Sequence, residues 1–487
     1  MKNASAASDF SIGELEYSRD AECPDPEFAT GNAQPRRLPM LIGICALTLF
    51  FTPQILQLFP GLEGLQIAKI TAVAAVLMFL FSRGSWSSRL RLGASPQLKC
   101  VLGLLVLAAV TIPMAEWPAA SLRYVTDVYI KNVIFVYLLY QAVRTDRDCR
   151  AIAGVLTFGS TLLVLAILLG FGPLAVAKTD PNRFSVGGTY DSNDLALLLV
   201  VTIPFAFFLI KASRPLVRVL LISSIVLMLI GMLKTGSRGG FLGLLVIGFL
   251  AFMRGSRQAR KYTLITLALG ASMFAFAAPA SYWERIGTIY KFEDDYNVNE
   301  ESGRFAIWKA GLGMIAERPL TGIGIACFNI AEGRINHNKL QQSPHNSFVQ
   351  ASAELGLPGG FLFLAIIITS VRVARRARRT AADASGAVTA AGDQAAAAGD
   401  DAVADDEAAP IGGQASAAGE QLMWFASAVE VAFLGFAVSG FFLSHAYSGI
   451  FCFLAGIGAV LQARYSALAP GSSNQSARST AEEIEYA

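Results

Sequence analysis

"LISSIVLMLIGMLKTGSRGGFLGLLVIGFLAFMR", residues 221–254, is a pair of apolar runs joined by a short turn that carries Arg238. A bilayer-spanning helix needs about 20 mostly apolar residues, so the two runs read as consecutive membrane spans with a fixed positive charge between them. The rest of the chain agrees with that reading. Of its 487 residues 54% are hydrophobic and 15% charged, with a mean hydropathy of +0.50. Such a chain is too apolar for one soluble globule of ordinary composition.

Further runs of this kind predict an all-α polytopic membrane protein with about 12 transmembrane helices. They fall near 39–59, 64–82, 98–114, 121–143, 151–172, 194–210, 215–233, 239–253, 261–280, 347–371, 422–443 and 447–464. The fourth carries Arg123, Asp127 and Lys131 at spacing four. On a helix they share one face and can pair, which is tolerable if that face packs against protein.

Lys and Arg accumulate in short cytoplasmic loops, and here every second connection is basic: "SRGSWSSRLRLGASPQLK", "RTDRDCR", "KASR", "RGSRQARK" and "RVARRARR". This predicts both termini in the cytoplasm and the alternate loops outside, in the periplasm of a cell with two membranes. Residues 1–37 lack a signal-peptide core and read as a disordered cytoplasmic tail. Helices one to nine then occupy 38–280, an outer region 281–346, helix ten 347–371, a linker 372–421, helices eleven and twelve 422–466, and a cytoplasmic tail 467–487. Within the linker, 380–420 is almost all Ala, Gly, Asp and small polar residues, a composition that cannot offset its ordering entropy. No CxxC spacing occurs among the six cysteines, which argues against a zinc or redox site, and Cys327 falls outside alone. A formal charge of +3, with the basic excess explained by topology, gives no nucleic-acid signal.

The outward segments hold the chemistry. They are "AKTDPNRFSVGGTYDSND" (177–194), "KTGSRGG" (234–240) and the region 281–346, and they carry Arg183, Lys234, Arg238, Arg285, Arg304, Arg318 and Arg334. Outward arginines run against the topology rule, and bidentate guanidinium binding of phosphate oxygens is the natural reason for them. Within "ESGRFAIWKAGLGMIAERPLTGIG", Phe305, Trp308, Leu312 and Ile315 recur at helical spacing, which predicts a helix on the membrane surface or over the bundle mouth, capped by Glu301 or Ser302 and ended by Pro319. His345, in "SPHNSF", stands at the mouth of helix ten on the same side.

"GTYDSNDLA", "TGSRGG", "GRFAIWKAGLGMIAERPLTGIGIACF" and "PHNSFVQASAELGLPGG", in this order, resemble the O-antigen ligase-related membrane family of O-antigen ligases, Wzy-type polysaccharide polymerases and protein O-oligosaccharyltransferases. The resemblance covers about 180 to 370. It implies a GT-C-like glycosyltransferase of the inner membrane, with a helical periplasmic loop region between helices nine and ten. The implied donor is an undecaprenyl-diphosphate-linked glycan and the acceptor a hydroxyl of lipid A-core, glycan or protein, with no cofactor and no metal. Matched motif to motif, it makes Arg238, Arg304 and His345 catalytic. Arg183, Asn193, Lys234 and Asn346 are the accompanying substrate-binding candidates. His445, in "SHAYS", departs from the pattern.

Other readings of these residues stay open. Arg238 can anchor helix eight at the interface with Ser237 as its N-cap, and its two glycines admit either a ligand or a neighbouring helix. Arg304 can pair with Glu300 or Glu301, His345 can cap helix ten, and Arg183 can flank a cap of helix six formed by Ser192 or Asn193. "GIGI" at 322–325 lacks the full nucleotide-binding pattern and reads as a turn. "FEDDYN" matches no Ca²⁺ loop and reads as a solvated acidic loop. A transporter or flippase of lipid-linked glycans is the alternative function, with Asp127, Lys131 and Glu430 as its candidate ionisable groups.

Overall fold

The computed structural model describes residues 38–51, 65–81, 95–170, 191–254, 257, 260–261, 303–335, 341–397 and 408–468. The description that follows concerns the unit Ala33–Ser466. In chain order the helices are α1 (Leu38–Phe51), α2 (Ile67–Phe81), α3 (Pro96–Thr111), α4 (Pro118–Tyr124), α5 (Ile130–Ala142), α6 (Asp146–Leu168), α7 (Ser192–Lys211), α8 (Pro215–Thr235), α9 (Arg238–Arg254), α10 (Arg304–Glu317), α11 (Phe328–Ile335), α12 (Ser347–Ala397), α13 (Ala408–Gly440) and α14 (Gly449–Leu468). The described residues are helical and contain no strand, and among them seven helices are long and apolar enough to cross a membrane. The protein is embedded in the membrane as a multi-pass chain. The expected ninth span, 261–280, lies almost wholly outside the described residues, as does all of 281–302.

Burial sorts the spans. In α7, 78% of the apolar window is buried, against 17% in α8. The first is therefore a central pillar and the second a peripheral helix whose Leu216, Val219, Leu220 and Val226 face outward. With lipid as solvent, apolar side chains have no reason to hide, and helices associate instead through small residues that let backbones approach. α9 shows this: a Cβ on Gly240 would stand 2.5 Å from Ala196 Cβ of α7, and one on Gly243 would stand 2.1 Å from Ser439 Oγ of α13. The glycines that follow Arg238 thus serve helix packing. α13 packs in turn on α12, α7 and α9.

The helix expected at 121–143 is present and continuous from Pro118 to Ala142, as α4, a π-helical stretch Val125–Tyr129 and α5. Its charged face is not packed within the chain: Arg123 and Asp127 pair at 3.6 Å, with side chains 85% and 60% exposed. Helical order also reaches into the expected linker from both sides, through Ala397 and again from Ala408. Val373, Ala374, Ala377 and Ala381 are buried there, because small and branched apolar residues at helical spacing supply a face that composition alone conceals. Of the stripe expected on α10, Trp308 and Ile315 are half-buried. Ile307, Ala310 and Met314 are buried against the outer cluster with Phe328 and Ala353, while Phe305 and Leu312 are exposed. The fit depends on Gly311, where a Cβ would meet Val349 at 2.5 Å.

α12 is broken near its start. Gly356 has φ 71° and ψ −179°, outside the helical region, and the residues before it turn aside so that Phe348 and Phe363 come within 5.3 Å, edge to face. The "GIGI" turn docks on this break: Ile323 N donates to Ala353 O, Gly324 N to Glu354 O, and Leu357 N to Pro319 O. The expected turn is therefore the strut that fixes the direction in which α12 enters the bundle.

Candidate active site

Five pieces of chain meet at one end of the bundle: the start of α7, the α8–α9 turn, the start of α10, residues 343–347, and the 441–448 connection between α13 and α14. The start of α7 is a reciprocal capping box, in which Asp191 accepts from Asn193 N and Asp194 N and the Asp194 side chain accepts from Asp191 N. The cap is therefore Asp191, neither Ser192 nor Asn193, because a carboxylate two and three residues before exposed N–H groups satisfies both at once. At the α8–α9 turn Gly236 takes φ 59°, and Ser237 Oγ accepts from Gly240 N at 3.2 Å, so Ser237 does cap α9. Arg238 follows as its first residue. Ser439 Oγ donates to Gly239 O at 3.1 Å, tying the turn to the end of α13.

Two loops carry the histidines and are stitched together. His345 N donates to Ser444 Oγ at 2.8 Å, Ser347 Oγ donates to Leu443 O at 2.6 Å, His445 N donates to Ser347 Oγ at 2.9 Å, and Ala446 N donates to Gln350 Oε1 at 3.1 Å. α10 joins the same seam through Trp308, whose Nε1 donates to Pro344 O at 2.9 Å and whose ring packs on Phe441. Ser347 is fully buried and bonded on both sides. Ser347→Ala is expected to cost about 1–3 kcal/mol, because it leaves the Leu443 carbonyl and the His445 amide without their partner. A thermal midpoint equal to wild type would show that the seam is held elsewhere.

His345 sits at φ 45°, a left-handed region uncommon for any residue with a Cβ, although His is among those that tolerate it. Its imidazole is 3.5 Å from Ser343 Oγ. Burial, and then the Arg304 guanidinium, push its pKa below the ordinary imidazole value of 6.5, and the carboxylates of Asp191 and Asp194 oppose them. The ring therefore favours its neutral form near pH 7. Asp194 is held by the second histidine: His445 Nε2 stands 2.8 Å from Asp194 Oδ1, with the His445 side chain 6% exposed.

The candidates are thus partly assembled. His345, Arg304, Asp191 and Asp194 are within electrostatic reach of one another, and Arg238 adjoins through Gly239 and Gly240, which touch Phe442 and Ala196. Asn193 leans on Asp191 at 3.4 Å, Lys234 is exposed two residues before Gly236, and Asn346 is a cap whose Oδ1 accepts from Phe348 N and Val349 N. Arg183 lies outside the described residues, as do Glu300, Glu301 and Ser302, while α10 has Gly303 at its N-cap and so no side-chain cap. Asp191, Asp194, Ser347 and Ser444 were not candidates. The D-x-x-D spacing before an apolar run was the available signal for the first pair, whereas the serines depend on loop pairing that spacing does not reveal.

No curated protein matches the chain. Residues 223–364, from within α8 across the Arg238 turn, α10, the His345 segment and the break in α12, match the family described as O-Antigen ligase. Over this stretch, somewhat under a third of the chain, the protein is similar to the O-antigen ligases.

Proposed function

We propose that the protein is a glycan transferase of the outer face of the cytoplasmic membrane, moving an undecaprenyl-diphosphate-linked glycan onto an acceptor hydroxyl. The observation that carries this reading is a His345 biased toward neutrality, set between the Arg304 guanidinium and the Asp191 and Asp194 carboxylates. The anomeric carbon of such a donor already bears a diphosphate leaving group. The enzyme must therefore stabilise leaving charge and take one proton. Arg238 and Arg304 bind the diphosphate. His345 accepts the acceptor's proton as its oxygen bonds to the anomeric carbon, while the bond from that carbon to the diphosphate oxygen breaks and the diphosphate departs with the electron pair. Attack opposite the leaving group inverts the anomeric centre. Asp194, fixed by His445, stabilises the imidazolium that results.

The base must be neutral, so lowering the pH inactivates the enzyme only as it passes the depressed pKa of His345. The rate is expected to hold from pH 8 through the ordinary imidazole value and to fall below it. In Arg304→Gln the residual activity should lose its acid limb at higher pH, since removal of a positive neighbour raises the imidazole pKa. An acid limb unmoved in that variant would separate Arg304 from the base.

Among the described residues, the ionisable groups of the transporter reading do not favour it. Asp127 is exposed beside Arg123, and Glu430 is enclosed by arginines toward the end of the bundle opposite His345.

A further inference from the structure

The arginines around Glu430 do more than neutralise it. Arg254 Nη2 and Arg375 Nε each stand 2.7 Å from Glu430 Oε1, and Arg378 Nε is 3.6 Å from Oε2, too far to hydrogen-bond. Three guanidinium charges from α9 and α12 thus converge on one carboxylate of α13. Among the described residues their ion pairs are with Glu430 alone. Arg254 Nη1, Arg378 Nε and Glu430 Oε2 are buried without a hydrogen-bond partner, so the single carboxylate does not satisfy all three guanidinium groups. Converging like charges with unmet donors are costly in a membrane, and a second anion would relieve both the charge and the donors. The cluster has an opening for one: Glu430 is 0% exposed, Arg254 22%, Arg378 30% and Arg375 52%.

Its position identifies the chemistry. Arg254 ends the helix that Arg238 begins, about 24 Å away at 1.5 Å per residue, so the cluster lies toward the opposite bilayer face from His345. Arginine forks match phosphate oxygens, and basic pockets between spans on the inner side suit phosphate headgroups. We propose that Arg254, Arg375 and Arg378 form a phosphate-binding site that receives an anionic phospholipid headgroup or free phosphate between α9, α12 and α13. The site is separate from the transfer chemistry.

The test is the thermal midpoint of the detergent-purified full chain with added phosphatidylglycerol, phosphatidylcholine or inorganic phosphate. Phosphatidylglycerol is expected to raise it by roughly 2–4 °C and phosphatidylcholine not at all. Arg375→Gln/Arg378→Gln should lose the rise relative to its own lipid-free midpoint; if it does not fold, Arg375→Gln, at the most exposed of the three, should reduce it. Arg376→Gln/Arg379→Gln, which removes the same charge from exposed neighbouring positions, should keep it. An equal rise with inorganic phosphate would identify a soluble anion as the ligand, and a rise with the lipid alone would identify the headgroup. No rise with either anion, or equal loss in both double variants, would overturn the site.

Discussion

Replacing His345 with alanine is expected to slow glycan transfer by about 10²–10⁴-fold, the usual contribution of a general base, while the protein stays in the membrane at normal abundance. The second half follows from how the loop is held. Its position depends on backbone and neighbouring groups: His345 N on Ser444, Pro344 O on Trp308, and the Asn346 cap. Among the described residues the imidazole itself makes only the long contact with Ser343. Alanine at φ 45° adds a strain on the order of 1–2 kcal/mol, too little to unfold a chain with this much buried structure. In cells whose only copy carries the change, long chains accumulating on the carrier would identify loss of transfer to a final acceptor. Single repeat units would identify loss of polymerisation. Carrier-linked and finished glycan both unchanged would remove His345 from the mechanism.

Gly322→Val is expected to be the most destabilising of the substitutions considered, at about 2–6 kcal/mol from backbone strain and overpacking together. Gly322 has φ 65°, and a Cβ there would lie 2.4 Å from the carbonyl carbon and oxygen of Glu354 and 2.5 Å from Gly356 N. All three are backbone atoms of the break in α12, so no rotamer change relieves the clash. The strut would open, and the segment that leads into α12 from His345 would lose its direction. Membrane abundance should fall sharply, with transfer falling alongside. Gly313→Ala is the control: a Cβ at that position in α10 meets nothing within 4 Å, and abundance should be unchanged. Abundance of Gly322→Val matching that control would show that the strut is dispensable.

The membrane class was legible because about 20 apolar residues have few other uses, and the runs at 194–210 and 215–233 match α7 and α8 to within two residues at either end. The candidate site was legible to the extent that its residues lie in sequence beside helix starts. Arg238, Arg304 and His345 do, and the last two come within electrostatic reach of each other. What stayed hidden was made by contacts distant in sequence. Asp194 and His445 are 251 positions apart and Ser347 and Leu443 are 96 apart, so periodicity says nothing about either pair. The inner face of α10 was hidden in the same way: Ile307, Gly311 and Met314 pack inward, with Gly311 set against Val349, a neighbour that sequence spacing does not reveal.

The most direct measurement reconstitutes the purified protein in vesicles with an undecaprenyl-diphosphate-linked glycan and a hydroxyl acceptor. The readouts are free undecaprenyl diphosphate and the configuration of the new linkage. Release of the lipid diphosphate, dependent on His345 and with an inverted anomeric centre, is the predicted result. Intact donor that has only changed bilayer face would contradict the account and leave a flippase in its place.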